Sequence, residues 1–140
     1  MACDRVGNPL AIVVTAGQRH ESIVFEKLME KVKIKNKIGR PKQLPKAIAG
    51  DKAYSVRRIR KWCKNRRIET VIPPLSKEIV VVSYNKILYK QRNVVERSIG
   101  WIKQFRRIAT RYEKLAQSFI EMIKLAISVL FLRKYFSNTT

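Results

Sequence analysis

Apolar positions follow two rhythms along the chain: short β-branched runs in the first half, and three- and four-residue steps in the last third. Leu10 to Thr15 is an apolar run that follows the turn-forming Asp4-Arg5-Val6-Gly7-Asn8-Pro9, and it reads as a buried strand. Phe25, Leu28, Met29 and Val32 then recur at i, i+3, i+4 and i+7, predicting an amphipathic helix with Ser22 as its cap. Residues 33–46 form a basic loop with two prolines. Ala47-Ile48-Ala49-Gly50 predicts a second strand, ending at Asp51. Val56, Ile59 and Cys63 predict a helix between Ser55 and Arg67, and Ile68 to Ile72 a third strand stopped by Pro73-Pro74. Strand, helix and strand in about 25 residues form a βαβ crossover, which implies parallel strands. Asp51 therefore falls at the carboxyl end of a parallel strand, where open α/β sheets bind their ligands.

The last third is helical. One apolar face runs through Val95, Ile99, Ile102, Phe105 and Ile108, a second through Leu115, Phe119, Ile123, Ala126, Ile127 and Leu130, with the join near Thr110-Arg111. Trp62 and Trp101 lie beside apolar faces and read as core. The most apolar stretch, Leu125 to Leu132, is too short for a membrane span. The expected fold class is α/β in a single domain over residues 1–140. Residues 1–74 hold the sheet and crossover helices, 75–88 a linker, and 89–136 the helical part. Within the linker, Ile79-Val80-Val81-Val82 is more apolar than a polar loop should be.

Charge then narrows the partners. The chain carries 31 Lys+Arg against 10 Asp+Glu, a net charge of +21. Its 46% apolar content is enough for a folded core, so the excess lies on a folded surface. Such a surface fits a polyanion, nucleic acid before an anionic membrane. Arg57, Arg58, Arg60, Lys61, Lys64, Arg66 and Arg67 surround one predicted helix that has no carboxylates of its own, which leaves phosphate contact or plain solvation for them. Cys3 and Cys63 lack a C-x-x-C spacing and have only His20 to help them, which argues against a zinc finger or a disulfide framework and for buried thiols. His20 reads as structural, at a strand-to-helix junction. No signal-peptide pattern opens the chain, so a cytoplasmic protein is expected.

Only two aspartates, Asp4 and Asp51, accompany eight glutamates. Tyr89, Arg92, Glu96 and Lys103 share one stripe of a helix, the last three roughly 60°, 20° and 40° behind the first. A charged stripe is commonly a solvated face. A lone carboxylate among two cations and a phenol also suits a site for a metal and a phosphate, the carboxylate on the metal and the cations on phosphate oxygens.

The spacing Y-x2-R-x3-E-x6-K resembles the YREK signature of DDE transposases from bacterial insertion sequences. Asp4 to Leu10, Thr15 to His20, Asp51-Lys52-Ala53-Tyr54, Val71-Ile72-Pro73-Pro74 and Lys103 to Ala116 are similar to the other landmarks of that family, in the same order. The resemblance implies an RNase H-like core followed by C-terminal helices. In that core Asp4, Asp51 and Glu96 would be the catalytic carboxylates that hold two divalent ions, Mg²⁺ or Mn²⁺, for cleavage and joining of DNA phosphodiesters. It further implies that Tyr89, Arg92 and Lys103 position DNA near the scissile phosphate, with Arg57, Arg58 and Lys61 as further DNA contacts.

Asp4 has a second reading as an ordinary turn-former before Gly-Asn-Pro. Only Met1-Ala2-Cys3 precede it, so the first core strand is expected to be clipped and the chain inactive alone. The implied partners are DNA at transposon ends, a transposase fragment from an upstream reading frame and a second copy of the chain, in a bacterial, nucleoid-associated setting without a membrane. Two other classes compete: a DNA-binding regulator of transposition without chemistry, and a structural RNA-binding protein, which composition alone supports.

Overall fold

The computed structural model describes residues 1–15, 20–34, 39–40, 44–76 and 83–136. Strands β1 (Ala2–Cys3) and β2 (Pro9–Ala11) pair antiparallel, with Ala2 opposite Ala11 and an irregularity beside Cys3. A 3-10 turn over Glu21–Val24 leads into α1 (Phe25–Glu30). Strand β3 (Ala47–Ala49) is followed by a 3-10 turn (Lys52–Tyr54), α2 (Arg57–Asn65) and β4 (Glu69–Val71). α3 (Lys86–Lys90), α4 (Asn93–Lys103), α5 (Arg106–Ala109) and α6 (Ala116–Phe136) complete the order.

The βαβ expectation holds: β3 and β4 are parallel in the register Ala47–Glu69, Ile48–Thr70, Ala49–Val71, and α2 is the crossover. The expected strand from Leu10 to Thr15 is shorter. Ladder pairing stops at Ala11, because β1 offers only two residues to pair with. Among the described residues the two strand pairs form separate two-stranded sheets, so the α/β class is present without a joined sheet. The helix predicted near Ser22 starts as a 3-10 turn, and Ser22 lies buried inside it rather than capping it. The Ile79–Val82 stretch and residues 16–19 of the Thr15 to His20 landmark lie outside the described residues.

Two cores form. The first joins Ala11, Phe25, Leu28, Met29, Val32, Ile59, Cys63, Ile68 and Ile72. Trp62 meets Phe25 edge-on at 5.3 Å between ring centres, which makes it the core aromatic its position predicts. The second core joins Ile102, Ile108, Ile123 and Ala126, with Phe105, Phe119, Ile127 and Leu130 against them. Trp101 departs from its core assignment: it is 47% exposed, because it borders the Asp4–Asn8 turn instead of entering this core.

Polar contacts tie the pieces together. Arg60 is half-buried and turns inward, donating from Nη2 to Ser55 Oγ at 2.7 Å and to the Ile72 carbonyl at 3.2 Å. Tyr54 donates its hydroxyl to Glu21 at 3.1 Å, joining the two 3-10 turns. Burial first, then the Glu21 and Asp51 charges, raise the Tyr54 phenol above its ordinary value.

Two outcomes follow for stability. Gly7, with φ +91° and a would-be Cβ 3.0 Å from Ser98 Oγ, cannot take a side chain freely, whereas Gly100 faces open space within α4. Urea denaturation should find Gly7→Ala destabilised by about 1–2 kcal/mol and Gly100→Ala stabilised by about 0.5–1 kcal/mol. An unfolded phenol ionises near pH 10 while folded Tyr54 resists. Its contribution is complete below pH 10 and is lost as pH rises through the raised folded value. Thermal unfolding from pH 9 to 11.5 should fall more steeply for the native chain than for Tyr54→Phe.

Candidate functional site

Two of the three sequence-predicted carboxylates, Asp4 and Asp51, sit at element boundaries, and the third, Glu96, lies in the first turn of a helix. Asp4 directly follows β1 and opens the turn to β2. Its Oδ1 accepts from the backbone N–H of Val6 (2.9 Å) and Asn8 (2.8 Å), and its Oδ2 from the Asn8 side-chain amide (2.8 Å). Asp51 stands past the end of β3, as expected, and caps the following 3-10 turn by accepting from Ala53 N–H at 2.9 Å. Glu96, on α4, is exposed and pairs with Arg92 at 2.7 Å.

The expected stripe does not run along one helix: Tyr89 lies on α3, Arg92 in the turn that separates α3 from α4, and Glu96 and Lys103 on α4. Arg92 lies over the Tyr89 ring at 5.7 Å, and Tyr89 meets Tyr84 edge-on at 5.5 Å. Burial works to lower the Arg92 pKa, but the hydrogen bond and charge of Glu96, with Tyr89, raise it overall. Lys103 is exposed at the last turn of α4.

The opposite side of α4 holds the Asp4 turn. Ser98, 2% exposed, donates its hydroxyl to the Gly7 carbonyl at 2.8 Å, with the Val94 carbonyl at 2.9 Å as the competing acceptor. Ser98 is two residues from Glu96 and thus about 200° around the helix from it. The Asp4 turn and the Glu96 carboxylate therefore use different faces of α4. Sequence reasoning missed Ser98. The available signal was a small polar residue on the face that carries Val94 and Ile102.

Two aspartates and a glutamate are hard oxygen donors and suit Mg²⁺ or Mn²⁺ in kind. Their arrangement does not suit an ion: among the described residues no three His, Cys, Asp or Glu side chains are grouped closely enough to hold one. Asp4 and Asp51 are engaged in local backbone capping and Glu96 in an ion pair. A surface depression of about 450 Å³, lined by Arg60, Glu69, Thr70 and Tyr84, includes none of the three.

The cations of α2 divide in two. Arg57, Lys61 and Lys64 are exposed and recur at i, i+4 and i+7, so they share one face over about 10 Å of helix. Arg58 is drawn across to α2's neighbours, pairing with Glu26 of α1 and donating to the Ser22 carbonyl of the preceding 3-10 turn at 2.6 Å. The carboxylate partner comes from a neighbouring element, which a count along α2 alone does not include. Arg66 lies over the Trp62 ring at 4.2 Å. His20 meets Ser22 Oγ through Nδ1 at 2.9 Å, a structural contact as expected. Cys63 is buried and Cys3 half-buried, both are free, and burial raises both thiols. No helix among the described residues is long and apolar enough to cross a membrane.

Comparison with known proteins gives the family. The family model described as "Transposase DDE domain" matches residues 1–131. A curated relative from Burkholderia cepacia, named "Putative transposase for insertion sequence element IS402", is 31% identical over 123 residues, which is 87% of this chain and 56% of that protein. The chain thus spans little more than half the relative's length. No solved structure matches. With the family model covering all but the last nine residues, the chain belongs to the transposase DDE domain family.

Proposed function

We propose that the chain is the DNA-engaging part of a bacterial insertion-sequence transposase with an RNase H-like core, acting in DNA transposition. The observation that carries this is the cationic face of α2, Arg57, Lys61 and Lys64, which starts six residues after Asp51 at the end of a parallel strand. Cations at successive helical turns follow a phosphate backbone, and a net charge of +21 adds non-specific attraction to it. Tyr89 on α3, Arg92 in the turn before α4 and Lys103 on α4 are a second set of DNA contacts in this reading. Arg58, held by Glu26, contributes less than its neighbours on α2.

Asp4, Asp51 and Glu96 are the carboxylates we assign to the transposition chemistry. Divalent ions would be held only with these three brought together, and would then supply activation of the attacking hydroxyl and stabilisation of the leaving oxygen. In the present arrangement the three carboxylates are apart, so no step is assigned to the chain alone and it is inactive by itself. Their separation also favours a second reading, a non-catalytic DNA-binding regulator of transposition. DNA at element ends is the partner in both; an upstream transposase fragment and a second copy of the chain are further partners of the first.

Fluorescence anisotropy with duplex DNA over several salt concentrations tests the electrostatic part. Affinity should fall steeply with salt, and Arg57→Ala, Lys61→Ala and Lys64→Ala should each reduce the slope by about 1, Arg58→Ala by less. A flat salt dependence would falsify the DNA reading. Cleavage of end-bearing DNA with Mn²⁺ separates the two functional readings. Nicking that appears when an upstream fragment is supplied, and disappears in Asp51→Ala and Glu96→Ala, marks the transposase; DNA binding that survives both variants without any nicking marks the regulator.

A further inference from the structure

A compact cationic corner lies where α5 gives way to α6. α5 ends in a Schellman motif: Tyr112 N–H donates to the Arg107 carbonyl at 3.1 Å and Arg111 N–H to the Ile108 carbonyl at 3.2 Å. The left-handed position of this motif is filled by Arg111, at φ +48°. Glycine takes that conformation without the steric cost that an L side chain meets there.

The side-chain contact that closes such a motif is usually apolar. Here Arg107 lies over the Tyr112 ring at 5.0 Å, and Glu113 accepts from Arg107 Nη2 at 2.7 Å. Arg107 is thereby fixed against one face of the ring. Tyr112 is nevertheless 70% exposed, and Arg106, Arg111 and Lys114, within six residues of it along the chain, are exposed as well.

We propose that this corner binds an unpaired stretch of a DNA strand, with one base stacked on the open face of Tyr112 and the flanking phosphates held by Arg106, Arg111 and Lys114. The inference rests on the DNA reading above and adds the kind of strand and the residues that grip it. A supported aromatic ring beside several cations provides the two things an unpaired strand offers to bind, a π face and a charged backbone. Paired bases keep their π faces inside the duplex.

The test uses the full chain and a short single-stranded DNA carrying 2-aminopurine. Binding should quench the probe. Tyr112→Ala should weaken binding at least about 5-fold and abolish the quenching, because one base–aromatic stack contributes that much or more. Tyr112→Phe should retain both, and an abasic site at the probe position should make Tyr112→Ala and native chain equal. Arg111→Gly should raise the Tm while weakening binding, opposite signs that a merely structural residue does not give. That variant keeps the test decisive even if Tyr112→Ala unfolds.

Unchanged affinity and quenching in Tyr112→Ala, or native binding by Arg111→Gly, overturns the inference. If salt-dependent duplex binding persists in that case, the corner fails and the DNA reading stands. If neither strand nor duplex binds, both fall.

Discussion

The alternation of side chains along one extended segment supports both cores. From Ala11 to Val14 the chain faces two ways: Ala11 and Val13 enter the core under α1 and α2, while Ile12 and Val14 enter the core under α4, α5 and α6. Extended backbone places successive side chains on opposite sides, so a segment buried on both reads as an unbroken apolar run. Met1 and Ala2 repeat the division on the neighbouring strand, Met1 in the second core and Ala2 in the first. The hairpin is thus a partition between two hydrophobic units. A one-residue slip in its register would exchange the side chains of both.

That dependence explains which features were legible. Leu10 to Thr15 is apolar throughout, and it predicted burial without predicting how far the ladder would extend, because ladder length depends on the partner strand. The crossover from β3 through α2 to β4 was fully readable, since its helical and extended periodicities and the Pro73-Pro74 stop are local. The break between the last helices was readable for the same reason: Thr110-Arg111 falls at the end of α5. Trp101 was not. Its helical position is compatible with the core, and only the tertiary structure sets it beside the Asp4 turn, half exposed, instead.

The carboxylates expose a competition that spacing cannot resolve. An aspartate before Gly-Asn-Pro is equally well formed as a turn-former and as a metal ligand, and here Asp4 spends both oxygens on the turn. Asp51 likewise caps the turn that follows its strand. Capping and coordination draw on the same lone pairs. Short-range partners win when nothing brings the three carboxylates together, and Ser98 fixes the Asp4 turn to the side of α4 away from Glu96. Chemical identity was legible in the sequence, whereas proximity depends on how α4 is rolled against the hairpin.

The two helices that end in left-handed arginines carry the last step. α2 closes as α5 does, with Arg67 at φ +55°, Arg67 N–H on the Lys64 carbonyl at 3.1 Å and Ile68 N–H on the Cys63 carbonyl at 3.0 Å. There the closing contact is apolar, between buried Ile68 and Cys63, and the motif is sealed into the core. At α5 the same backbone geometry is closed by a cation on an exposed ring. Identical hydrogen bonds therefore give two different surfaces, and the residue after the left-handed position decides which. An isoleucine folds the chain inward toward β4; a tyrosine leaves an aromatic face in solvent among cations.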